Sequence, residues 1–506
     1  FFFKQKTAYE ISTRDWSSDV CSSDLSFTAF IKKNPILFWG SLFALTQGIA
    51  VSFEIYLLFI LPAALLALWL AIHKIEWVWF FSVMATPLSI NLEEMEVAHV
   101  GMYLPTEPII ASLLLLMIFK IISGKSVDRR IFKHPFTYII GLYLLWMVFT
   151  AVTSEYPLVS FKFIATRLWF ISGFYLLGAH LFQDLSNIKK FFASYLAPLC
   201  IVIIYAVSRH AQFNFDKESA HWVMEPLFKD HTSYGAVLAM FFPVTIGLIF
   251  LKKKSPLVTF LIYSALFILT IGLVLSYTRA AWVSVVVALG VFVIMSLRIP
   301  LKYVLFGTLI FGSLLYVSWD SIQQELGQNK QESSDKLDEH VSSISNVSSD
   351  ASNLERLNRW HCALEMFRRR PIMGWGPGTY QFVYAPFQQA KDRTIISTNN
   401  GDGGNAHSEY LGPLAEEGVL GMLLFASIFI YSIMLGFRLY YTAVEKEHRV
   451  IIVSVFLGLL TYFVHGTLNN YLDTDKASVP FWGFIGILVA MDLFHLKKEE
   501  NSTSNK

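Results

Sequence analysis

Charged residues are too scarce in this sequence to cover a water-soluble surface. Lys, Arg, Asp and Glu make up 15% of the 506 residues, hydrophobic residues 54%, and the mean hydropathy is +0.50. Cysteine is scarce too. Cys21, Cys200 and Cys362 show neither a metal-ligand spacing nor a disulfide framework. The net charge is only +2, and no nucleic-acid partner is expected. The first 25 residues do not read as a signal or transit peptide, because no apolar core and small-residue cleavage site follow a basic start. Asp15 to Leu25 instead reads DWSSDVCSSDL, similar to the in-frame translation of a sequencing-library adapter. Residues 1–25 are therefore expected to be an artefact, with the authentic chain beginning near Ser26.

What the sequence has in abundance is apolar runs near 20 residues, the length a helix needs to cross a bilayer. The runs predict an all-α, polytopic membrane bundle with helices at about 36–52, 54–73, 76–90, 107–123, 136–153, 161–182, 189–207, 232–252, 257–276, 279–297 and 302–319. Three more follow at about 418–440, 448–467 and 479–495, which gives 12–14 spans. Aromatic residues reach 16%, and Trp and Tyr often end the runs, as in interfacial belts. The expected organisation is an N-terminal helix block over 26–319, a large loop over 320–417, closing helices over 418–496 and a tail over 497–506.

Lys and Arg concentrate in alternate short connections: Lys32/Lys33, Lys74, the stretch from Lys120 to Lys133, Lys189/Lys190, Lys252 to Lys254, Arg298/Lys302, Arg438 to Arg449, and Lys497/Lys498. The connections between them are acidic or mixed, as in Asp473-Thr-Asp475. The positive-inside rule then predicts cytoplasmic termini and an outward loop. Arg368-Arg369-Arg370 lies in that loop, but long loops translocate largely regardless of charge.

The chemistry-bearing stretch is Leu354 to Gly421. Residues 320–350 before it are polar and show no chemistry. Ser352-Asn-Leu-Glu355 reads as a capping box opening a helix. Leu357, Trp360, Leu364 and Phe367 recur at helical spacing as its apolar face, and Arg356 and Arg359 share another face. Pro371 is expected to end that helix. Gly374, Gly376 and Gly378 then form a tight turn, because the Lys-Ser/Thr ending and flanking elements of a phosphate-cradling loop are absent. Asn405 or its neighbours are expected to start a second helix carrying His407.

Each candidate has a plain alternative. Arg279, in Ser276-Tyr-Thr-Arg-Ala-Ala-Trp282, is either an interfacial arginine reaching for headgroups or a contact for a lipid-linked anion. Arg356 and Arg359 suit the solvated face of a helix equally well. Asp230 beside His231 suits an N-cap. His361 and His465 read as structural. His407 stands among Asn405, Ser408 and Glu409 at the membrane edge, where it either acts or packs the second helix.

Arg359-Trp360-x-x-Ala363, Pro371-x-x-Gly374-x-Gly376, Asn405-Ala-His407-Ser-Glu-Tyr-Leu411 and Glu417-Gly418-x-x-Gly421, together with Ser276-x-Thr-Arg279, resemble the O-antigen ligase and O-antigen polymerase superfamily. The resemblance covers most of the chain from about Ile36 to Leu496, and its motifs are specific in combination and order. It implies a glycosyltransferase of the bacterial inner membrane that moves glycan from undecaprenyl diphosphate to an acceptor hydroxyl on the periplasmic side. The implied reaction is metal-independent and inverting, with no cofactor. The acceptor would be lipid A-core or a growing glycan of lipopolysaccharide or exopolysaccharide. Membrane lipids, a flippase and a chain-length regulator are the further partners implied.

In that setting Arg279, Arg359 and Arg356 would hold the diphosphate through paired charged hydrogen bonds. His407 would be the general base. Glu409, Glu417, Asn405 and His231 would support it, with Glu409 or Glu417 orienting the ring. Two other readings stay open: a transporter of lipid-linked oligosaccharide, and a protein O-oligosaccharyltransferase of the same superfamily. The central helices carry little charge and no repeat is visible, which speaks against a transporter.

Overall fold

The computed structural model describes residues 35–52, 74–92, 102–122, 127–252, 254–300, 351–389 and 404–496, together with the single residues 303 and 313. The expectations for residues 1–25, for helices at 54–73 and 302–319, and for the tail lie outside them. The chain divides into two units, Phe1–Lys74 and Ile75–Lys506. In the first, α1 (Pro35–Ser52) is an apolar helix.

The second unit is a helical bundle. Its helices are α2 (Ile75–Ala85), α3 (Thr106–Ile122), α4 (Pro135–Val152), α5 (Pro157–Phe170), α6 (Leu185–Ala211), α7 (His231–Phe250), α8 (Pro256–Leu275), α9 (Arg279–Ser296), α10 (Ala351–Arg369), α11 (Leu411–Thr442), α12 (Lys446–His465) and α13 (Asp475–Ala490). Every predicted membrane helix that falls on described residues is present. Eight of them are long and apolar enough to cross a membrane, so the protein is an all-α, multi-pass membrane protein. A two-residue hairpin pairs Ile90–Asn91 with Tyr103–Leu104.

The boundaries follow from local chemistry. Asp184, Asp230 and Ser255 accept backbone N–H groups at the starts of α6, α7 and α8. Pro135, Pro157 and Pro256 occupy first turns, where the missing N–H costs nothing. After α5 the chain passes through a π-helical segment, Ile171–Leu176. The Gly173 carbonyl there accepts the Trp79 indole N–H at 2.7 Å.

The centre of the bundle is α13, in which every residue is buried. The outer faces of α4, α8 and α9 expose Leu142, Phe149, Phe260, Phe267, Val286 and Leu289, an apolar surface suited to lipid. Cross-links fix which helix ends meet. At one end Lys189 pairs with Glu447 at 2.5 Å, and Arg438 with Asp492 at 2.6 Å. The loop joins the other end, where the Ser154 hydroxyl donates to the Trp375 carbonyl.

Asp475, read from the sequence as part of an acidic outer connection, is wholly buried instead. Its Oδ2 accepts from Ser89 at 2.6 Å and Thr106 at 2.5 Å. Lys476 beside it donates to the carbonyls of Thr86 and Ser89, both at 2.7 Å. This knot ties the start of α13 to the residues between α2 and α3.

Candidate functional site

The loop has a small core of its own, formed by Cys362, Ala363, Met366, Tyr380, Tyr384, Phe387, Ala406 and Ala415. The buried stripe of α10 runs through Glu355, Asn358, Arg359, Cys362, Ala363 and Met366. This corrects the sequence-derived face, whose Leu364 is exposed. The capping box is also corrected: Ser352 lies within α10, and the Glu355 carboxylate pairs with Arg359 at 2.6 Å. Arg359 is 4% exposed, lies over the Tyr384 ring and packs against Gly404.

The glycine turn and the broken start of α11 lock together. Gly418, at φ 73° and ψ −170°, separates the first two turns or so of α11 from its long apolar part. A Cβ there would stand 2.1 Å from the Ile372 carbonyl oxygen, so only glycine fits. The N–H of Gly374 donates to Arg370, that of Gly376 to the Glu416 carbonyl, and that of Gly378 to the Glu416 carboxylate. All three are used within the protein, as expected of a turn rather than a phosphate cradle. The other Glu416 carboxylate oxygen accepts from the Tyr380 N–H at 2.8 Å. Glu417 next to it is 1% exposed, and its carbonyl accepts the Trp146 indole N–H at 2.9 Å.

His407 is not on a helix, contrary to expectation. Its φ is 47°, and its N–H donates to the Asn405 side chain at 3.1 Å. The Asn405 amide thus closes a turn rather than capping a helix. Ser408 stands just before α11, its Oγ accepting from the N–H groups of Tyr410 and Leu411. The Trp360 indole donates to the His407 carbonyl at 3.3 Å. Glu409 faces the membrane helices. Its N–H donates to Gly466, and one carboxylate oxygen accepts from the Tyr462 hydroxyl at 2.6 Å and from the N–H groups of Tyr471 and Leu472. Among the described contacts none joins Glu409 or Glu417 to the His407 ring.

The cations of the site converge from distant parts of the chain. Arg279 opens α9, and Thr278 before it donates to the His231 carbonyl at 2.7 Å. His231 opens α7, capped by Asp230 as the plain reading held, and stacks on His221 with ring centroids 4.2 Å apart. The charges of Arg356 and Arg279 both reach His231. The charge of Arg356 also reaches His407 and His465. Burial, then Arg356 and then Arg359, lower the His407 pKa to about 4, so its imidazole is neutral near pH 7.

Next to this group lies a cavity of about 120 Å³ with an opposite lining. Glu409, Glu416, Glu417 and Asp473 line it together with one cation, Arg167 of α5. Burial raises the pKa values of both Glu409 and Asp473. Arg167 is 8% exposed and donates to the Leu472 carbonyl. The sequence reading passed over Arg167, Asp473 and the site position of His465. An arginine inside an apolar run was the signal available for the first.

The chain matches none of the curated proteins compared with it. Residues 264–426, from within α8 through the loop into α11, match the family model described as O-antigen ligase. That stretch holds Arg279, Arg356, Arg359, His407 and the Gly418 break, and the match supports the likeness of this multi-pass membrane protein to the O-antigen ligase and O-antigen polymerase superfamily.

Proposed function

We propose that the protein transfers a glycan from undecaprenyl diphosphate to an acceptor hydroxyl at the loop end of the bundle. The observation that carries this reading is that the charge of Arg356 acts on both His231 and His407, while that of Arg279 acts on His231. Fixed guanidinium groups suit the developing charge of a diphosphate leaving group, and a neutral imidazole suits a hydroxyl that must lose its proton.

In the proposed step the acceptor oxygen attacks the anomeric carbon while the bond from that carbon to the diphosphate oxygen breaks. The hydroxyl proton passes to His407, and undecaprenyl diphosphate leaves with the bonding electron pair. A single displacement of this kind inverts the anomeric centre. Side-chain cations stabilise the leaving group, so the step is read as metal-independent. Bound diphosphate would offset the field of Arg356 and raise the basicity of His407 for the transfer. Arg359, paired with Glu355 and held against Tyr384, shapes the loop and adds a smaller positive field at His407 than Arg356 does.

The setting proposed is the bacterial inner membrane, with the basic end of the bundle in the cytoplasm and the loop in the periplasm. Surface polysaccharide is the product class, joined either to lipid A-core or to another repeat unit. Transfer to protein Ser or Thr would use the same parts. The test is transfer by the purified full-length protein, given a defined undecaprenyl-diphosphate-linked glycan and candidate acceptors in detergent. Product formation that is lost in Arg279→Ala supports the reading. Translocation of the lipid-linked glycan across liposomes without any product would instead make the protein a transporter.

A further inference from the structure

We infer that the carboxylate-lined cavity beside His407 is the subsite for the acceptor sugar, recognising its hydroxyl or amino hydrogens. The inference rests on the glycan-transfer reading above. Ala406 and Ser408, the chain neighbours of His407, both line this cavity, so a ligand seated there lies beside the segment that carries the proposed base.

The lining selects the chemistry. Four carboxyl groups face one guanidinium, and burial pushes Glu409 and Asp473 toward the neutral form, so the lining offers hydrogen-bond partners and not the cluster of cations a diphosphate needs. The cations that act on His407 are Arg356 and Arg359, with Asp230 and Glu355 acting in the opposite sense. The two substrates of a transferase are thereby placed apart: the anionic donor toward Arg279 and Arg356, the hydroxyl-rich sugar toward Glu417 and Asp473.

Unused polar atoms point to a ligand independently of the charge count. Glu417 is 1% exposed, and its Oε2 has no hydrogen-bond partner among the described residues. The Oδ1 of Asn470, on the same cavity, is likewise buried and unpartnered. Buried acceptors left unmade are costly, and such groups are kept where something else completes them. A sugar presents O–H groups, and a carboxylate oxygen and an amide oxygen are the acceptors they need. A volume of about 120 Å³ admits one ring edge rather than a chain, since cavities of roughly 150 Å³ hold a benzene ring.

The test is direct binding to the full-length protein in detergent. One probe is the oligosaccharide released from the host's lipopolysaccharide by mild acid, and the other is undecaprenyl diphosphate. Glu417→Gln and Asn470→Ala should each weaken oligosaccharide binding by roughly tenfold or more, with undecaprenyl diphosphate binding unchanged. Asn470 is only partly buried, so its variant keeps the test valid should Glu417→Gln fold poorly. Unchanged oligosaccharide affinity in Asn470→Ala and in a folded Glu417→Gln, or no binding by the wild type, overturns the inference. Oligosaccharide binding that persists while undecaprenyl diphosphate fails to bind would sink the donor reading and leave the subsite standing.

Discussion

The guanidinium of Arg359 lies over the ring of Tyr384, 4.0 Å from its centroid, while its Nε donates to Glu355. Both members of this ion pair are about 95% buried, so breaking it strands a charge inside the loop. Arg359→Ala should cost about 3–5 kcal/mol of loop stability. The loss should appear as proteolysis within α10 at lower temperature. Wild-type protease resistance in Arg359→Ala would show that the pair does not hold the loop.

Arg356 should behave differently. Its charge acts on His231, His407 and His465, and α10 turns its buried stripe elsewhere. Arg356→Ala should keep the loop folded and weaken donor binding by about tenfold or more, the worth of a charge-assisted hydrogen bond. Arg356→Lys should recover part of it, since the charge returns without the planar fork. Donor titrations that superimpose for wild type and Arg356→Ala would remove Arg356 from the diphosphate.

Gly418 provides a conformational test. Alanine there meets both a φ of 73° and the Ile372 carbonyl, so Gly418→Ala should lower the melting temperature, with strain of about 1–3 kcal/mol before the clash is counted. Gly412, where a Cβ would meet only Ala406 at 3.9 Å, is the control and should accept alanine. Equal melting temperatures for the two variants would show that the break in α11 is not needed.

The sequence made the bundle legible because lipid leaves few choices: a 20-residue apolar run must satisfy its backbone as a helix. The loop was less legible because its burial is set by partners far along the chain. Arg359 turns inward toward Tyr380 and Tyr384, which no periodicity within α10 reveals. Asn405 was misread because the same side chain that caps a helix also closes a turn. Arg167 was missed because its run was judged by its average hydropathy, and the single charge was the informative residue.

Orientation can be checked apart from activity. Phosphatase and fluorescent reporters fused near Asn346 and after Lys497 should report opposite faces of the membrane. The same face for both would mean an odd error in the number of spans.

The pH dependence carries a sign. With a pKa of about 4, His407 is already neutral at pH 6.5, where an ordinary histidine is half protonated. Because kcat/KM reports the free enzyme, its acid limb should stay level through pH 6.5 and fall only as the pH nears 4. An acid limb centred on 6.5 would mean that the ring is not desolvated or that another group is the base.

The most direct measurement is single-turnover transfer by His407→Ala, made alongside donor binding by the same protein. Removal of a general base costs about 10²–10⁴-fold in rate. The variant should therefore bind undecaprenyl-diphosphate-linked glycan as the wild type does, while its transfer rate falls by that factor. Wild-type single-turnover transfer by the folded His407→Ala protein would contradict the account.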